Sequence, residues 1–237
     1  MTDFPSSRAA LPLVAAAAAL LGAGATWLVS HQAGGNQVRE YLLAHPEVIP
    51  EAMQKLQERS NAKVIAANRA DILTPVGSAW AGNPNGDVTV VEYLDYNCTY
   101  CRASLPIVDK LIAAEPNVKV IYRELPVLSL ESETAARYAI VAGRQGKYRA
   151  LHAALYAGGP LTEASMDKAL VTAGLDPAKV KEEAKSASVE AMIKTNLSLM
   201  RPLGMTGTPT WVIGDRVVSS VMSLEDMRDA IAAARAK

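Results

Sequence analysis

Cysteine is almost missing from this chain, with only two in 237 residues. That excludes a disulfide-stapled scaffold and a structural zinc site built from four cysteines. Histidine is nearly as scarce. His31, His45 and His152 show no His-x3–5-His spacing, so they do not complete a zinc site begun by the two cysteines. There is one phenylalanine beside eight tyrosines and three tryptophans, which leaves little for base stacking. Neither sign of charge is in excess, with Lys+Arg and Asp+Glu at 24 each, so nothing points to nucleic acid or to an anionic partner. No metal and no cofactor are expected.

The two cysteines lie together in Asp95-Tyr96-Asn97-Cys98-Thr99-Tyr100-Cys101-Arg102. The β-branched run Val88 to Leu94 precedes them, as in a central buried strand, and a helical pattern from Ala103 to Ala114 follows. Disulfide exchange needs a thiolate. A cysteine at a helix N-terminus meets unpaired backbone N–H groups and the positive end of the dipole, which favour that thiolate. Cys98 holds that position and Cys101 lies one turn inside, so Cys98 is read as the nucleophile and Cys101 as the resolving thiol. Thr99 and Tyr100 tune the potential and are expected to face the substrate. Neither is basic, which argues against an extreme oxidant.

From Ala9 to Ser30 no residue is charged, and Arg8 precedes the run. Residues 1–33 read as a secretory signal peptide or a membrane anchor. Both place the rest of the chain outside the cytoplasm, where disulfide chemistry is at home. Residues 34–73 read as a charged helical segment. Val38, Tyr41 and Leu42 share one face, Ile49, Met53 and Leu56 form an apolar line, and Ile65 and Ile72 extend it although Ser60 and Lys63 break it. Two readings stand here: a solvated spacer, or an amphipathic helix that makes a homo-oligomer through residues 37–73. Thr74 to Asp87, rich in Pro, Gly and Asn, reads as the domain boundary. Beyond it come the strand and helix around the cysteines, with Pro106 expected to kink the helix. A parallel strand Val118–Tyr122 is reached by a crossover.

A helical stretch at about 130–200 carries no strand pattern and reads as an insertion. Its helices are expected at Glu131 to Tyr156, Ala164 to Ala173 with Thr162 as cap, and Pro177 to about Met200. Thr210–Ile213 and Arg216–Val218 form a hairpin over Gly214-Asp215, and Ser223 caps a last helix with Met227 and Ile231 inward. The fold class is α/β, a thioredoxin fold with a helical insertion, occupying 74–237.

Three further features bear on chemistry. Glu92 is a carboxylate in the middle of the central strand, read either as a buried acid that relays the Cys101 proton or as an acid at a solvated sheet edge. Pro209 follows Thr208 directly before a strand. Taken alone it reads as a trans proline, whereas a cis bond leaves the Thr208 backbone free to pair with a substrate strand. Arg123-Glu124 reads as an ion pair, His152 as a solvated helix residue, and Met200 and Met205 as packing.

Val90 to Arg102, the helical insertion and Gly207-Thr208-Pro209-Thr210 together resemble the DsbA family of thiol–disulfide oxidoreductases. Tyr41-Leu42-Leu43-Ala44-His45-Pro46-Glu47-Val48 resembles the segment before the domain in the ScsC-like (copper-sensitivity suppressor) branch, where some members are trimeric isomerases. The resemblance implies a nucleophilic Cys98, a redox-active Cys98–Cys101 disulfide, a cis Pro209 and a buried acid at Glu92. It also implies a periplasmic enzyme acting on protein thiols or disulfides as oxidase or isomerase, reset by a membrane redox partner. Thr99-Tyr100 departs from the Pro-His of the family's best-known oxidant. The alternative function is a Cu(I)-binding module, since soft thiolates suit that ion.

Overall fold

The computed structural model describes residues 37–236; the expected signal peptide or anchor at 1–33 lies outside them. Among the described residues no helix is long and apolar enough to cross a membrane. The chain divides into two compact units after Leu56. The first contains α1 (37–44) and the start of α2 (Val48–Ala67). Its apolar side chains Val38, Tyr41, Leu43, Ile49, Met53 and Leu56 are all exposed.

The second unit is built on a five-stranded sheet of order β1-β3-β2-β4-β5. The strands are β1 (Trp80–Gly82), β2 (Val88–Leu94), β3 (Val118–Glu124), β4 (Thr210–Ile213) and β5 (Arg216–Val218). β2 is central, parallel to β3 and antiparallel to β4. Alternation along β2 sends Val90 and Leu94 to one face and Val91 and Tyr93 to the other. The first face is covered by α4 (Thr99–Ala114), α5 (Leu130–Arg144), α6 (Tyr148–Ala157) and α10 (Leu224–Arg235). α7 (Glu163–Thr172), α8 (Pro177–Glu183) and α9 (Ala187–Ser198) complete the insertion between β3 and β4. Ile65 of α2 and Ile72 of α3 (Arg69–Leu73) pack on the second face against Val91, Tyr93 and Ile121. The compact unit therefore starts at Gln57, upstream of the boundary expected at Thr74.

Several expectations need correction. The Thr74–Asp87 stretch, read as the domain boundary, belongs to the sheet, because Trp80–Gly82 pairs antiparallel with β3. Three residues, two of them small, carry no periodic signal; the pairing partner makes the strand. Gly77 (φ 54) seats this stretch directly on α5, where a Cβ would fall 2.1 Å from the Gly143 carbonyl oxygen. Glu131–Tyr156 is two helices, not one. At Gly146 (φ 74) a Schellman motif ends α5, with Gly146 N–H on Gly143 O and Lys147 N–H on Ala142 O. The helix expected from Pro177 to Met200 likewise breaks, at Ser186, into α8 and α9. Arg123 and Glu124 are not an ion pair, because neighbours on a strand point to opposite faces. Arg123 donates to the Ile72 and Thr74 carbonyls, whereas Glu124 accepts from Tyr148 and Tyr96.

Candidate active site

The chain leaves β2 through Asp95 and Tyr96 and enters α4 with Cys98 as the N-cap residue. The buried Asp95 carboxylate fixes this loop. One oxygen accepts from Asn97 N–H at 2.7 Å, the other from Val127 and Leu128 N–H at 2.9 and 3.0 Å. Asp95 O accepts from Cys98 N–H at 3.1 Å and from the Tyr156 hydroxyl at 3.0 Å. The sequence flanking the cysteines contains Asp95, yet its role depends on backbone that returns thirty residues later.

Both cysteines are free thiols in this structure. Cys98 is 6% exposed and Cys101 1%. Cys98 Sγ accepts from Cys101 N–H at 3.3 Å and lies 3.2 Å from Thr208 O. The hydrogen bond from the Cys101 thiol, helped by backbone N–H groups of the first turn, brings Cys98 down to about 6 against the opposing effect of burial. Cys101 is pushed far up, first by its bond to Cys98 and then by burial. At neutral pH the pair therefore holds one proton, on Cys101, and a thiolate on Cys98 at the helix N-cap.

Thr208 and Pro209 are joined by a cis peptide bond beside Cys98. The Thr208 hydroxyl is buried and has no hydrogen-bond partner. Thr99 and Tyr100 face outward, Tyr100 being 66% exposed. Glu92 is buried on the face of the sheet that α4 covers, not at a solvated edge. Burial, followed by the charges of Glu124 and Cys98, pushes its carboxyl well above the ordinary range.

His152 corrects the expectation of a solvated helix residue: it is buried among Tyr96, Tyr122, Tyr148 and Tyr156. Its Nδ1 lies 3.2 Å from the Tyr96 hydroxyl. Tyr148 donates to Glu124 Oε1 at 2.7 Å, and Tyr96 reaches the same oxygen at 3.4 Å. Burial pushes Glu124 up to about 8 and His152 down to about 3, so this network is neutral at pH 7. The sequence holds one signal for it: Tyr148, His152 and Tyr156 recur every four residues on α6. Among the described residues no group of three or more His, Cys, Asp or Glu side chains is arranged to hold a metal ion.

A family model described as a DSBA-like thioredoxin domain matches residues 89–232, and one described as the copper resistance protein ScsC N-terminal domain matches 35–63. A thioredoxin-like oxidoreductase from Silicibacter pomeroyi is 38% identical with a TM-score of 0.68, covering 72% of this chain and 99% of its own. Salmonella enterica Typhimurium BcfH is 28% identical with a TM-score of 0.65, covering 96% and 99%. A Na(+)/H(+) antiporter NhaA 1 of Salinispora arenicola is 28% identical over 156 residues, 65% of this chain. The match spans only 24% of that curated relative's length.

Proposed function

The chain belongs to the DSBA-like thioredoxin-domain family, and we propose that it is an extracytoplasmic enzyme exchanging disulfides with cysteine-containing proteins. One observation carries this reading: Cys98 caps α4 with its sulfur on the Cys101 N–H and beside Thr208, ionised below neutral pH, while Cys101 keeps its proton. In the reducing direction the Cys98 thiolate attacks one sulfur of a substrate disulfide. The substrate S–S bond breaks, one substrate thiolate leaves, and a mixed disulfide forms. Cys101 then loses its proton and attacks Cys98 Sγ, which closes the Cys98–Cys101 disulfide and frees the second substrate sulfur. The oxidising direction is the same sequence reversed, with the electron pair passing from substrate to enzyme.

Glu92 takes the Cys101 proton in this scheme. Burial makes its carboxylate a stronger base than usual, which brings it closer to a thiol. Thr208, Pro209, Thr99 and Tyr100 form the wall against which a substrate strand rests. A membrane redox partner resets the pair. The exposed apolar line from Val38 to Leu56, matched by the ScsC N-terminal family, assembles copies of the chain, as an isomerase that holds substrates between several sites requires.

The test combines a reduction potential with refolding of scrambled RNase. Activity from reduced enzyme alone supports isomerase, and activity only from oxidised enzyme supports oxidase. No turnover in either state, together with stoichiometric Cu(I) uptake by the reduced pair, overturns the reading in favour of copper binding.

A further inference from the structure

A groove between α9 and the connection from α3 to β1 takes in neither cysteine. It contains about 550 Å³, a size that suits a small molecule, and its lining includes Val76, Ala191 and Met192 with Asp71, Arg123 and Arg144. No aromatic ring lines it. Arg123 is 5% exposed, yet no carboxylate pairs with it. Its Nε donates to the Ile72 carbonyl and its Nη2 to the Thr74 carbonyl, which uses one edge of the guanidinium. Nη1 donates to nothing among the described residues and is not sealed in the core. The edge made by Nη1 and the second Nη2 proton is therefore open. A buried cation without a counter-charge is unfavourable, and burial opposes the charge on Arg123. Asp71 attracts it only from a distance. Arg144, in the last turn of α5, is exposed and makes no ion pair among the described residues. The lining thus sets two cations against one carboxylate.

We propose that this groove binds a small aliphatic monocarboxylate, its head on the open edge of Arg123 and on Arg144 and its chain along Val76, Ala191 and Met192. A planar head with two oxygens matches the guanidinium fork. A single negative charge balances the excess of one cation. An unbranched aliphatic chain suits walls that carry no ring. The site stands apart from the dithiol, so this inference does not rest on the exchange reading.

The test is calorimetric titration of the full chain with octanoate, with octanol and inorganic phosphate as controls. The expected result is saturable binding of one octanoate per chain. Octanol, which lacks the charge, binds at least about tenfold more weakly, equal to about 1.4 kcal/mol. Phosphate, which lacks the chain, gives no saturable heat. Arg144→Gln weakens octanoate about tenfold and leaves the urea midpoint unchanged. Ala191→Trp, which fills the groove from its exposed side, removes binding. Arg123 stays in place throughout because it also holds the Ile72 and Thr74 carbonyls. No saturable binding, equal affinity for octanol, phosphate binding as tight as octanoate, or parental affinity in Arg144→Gln overturns the proposal. Tighter binding of acetyl-alanyl-leucine than of octanoate overturns it in favour of a polypeptide C-terminus.

Discussion

At Cys98 the reactivity rests on short-range donors: the Cys101 thiol first, then the first-turn N–H groups. Alkylation of the reduced protein by iodoacetamide is expected to be half-maximal near pH 6 and flat above neutrality. Cys101→Ala removes the first of these donors and moves that midpoint up; an unmoved midpoint denies Cys101 this role. Glu124 and His152 pull stability in opposite ways. Glu124 is raised to about 8 in the folded state, so the native protein keeps a proton that the unfolded chain sheds. Its contribution is complete below the ordinary carboxylate range near 4 and is lost as pH rises through 8. His152 is lowered to about 3, so its contribution is present above 6.5 and is lost as pH falls toward 3. Urea midpoints measured from pH 3 to 9 should show both limbs. Glu124→Gln should flatten the fall between pH 5 and 8, and His152→Phe the fall below 6.5. Unchanged slopes would contradict the buried network. The sequence indicated Cys98, Cys101 and Glu92 because local pattern carries them; it did not indicate Tyr96 and Tyr156, whose partners come from other elements.

Among the elements, α2 changes character along its length. Its early apolar residues are exposed, Leu56 at 69%, while Ile65 and the following Ile72 are buried on the sheet. The apolar line is therefore two surfaces in succession, parted where Ser60 and Lys63 interrupt it in the sequence. Ile72→Ala should cost about 2–5 kcal/mol in urea unfolding, as a filled core position does. In a Met53→Asp background that keeps copies apart, Leu56→Ala should stay within about 0.5 kcal/mol of that background, as surface changes do. Equal costs would show that the apolar line from Leu56 to Ile72 is one continuous packed surface. α6 joins the active-site loop by hydrogen bonds at its two ends, Tyr148 through the Glu124 network and Tyr156 directly on Asp95 O. The sequence located this helical insertion but ran α5 and α6 together, since a single glycine with positive φ was all that parted them.

For the molecule as a whole, the proposed assembly through the first unit has a direct check. Light scattering on the full chain should give a multiple of 25.1 kDa, or of the mass left after removal of a leader. Met53→Asp with Leu56→Asp should give the single-chain mass. A single-chain mass for the parent removes the oligomer and leaves the spacer reading. By itself the sequence determined β2, β4, β5 and α10 almost to the residue, together with the dithiol at the mouth of α4. Each of these is specified by neighbours along the chain: alternation, a two-residue turn, a serine cap, two cysteines one helical turn apart. Tertiary structure alone decided the strand Trp80–Gly82, the opposite destinations of Arg123 and Glu124, the burial of His152 and the clamp at Asp95. Each of those depends on a partner dozens of residues away, and no local pattern encodes a contact whose other half is brought in by the fold.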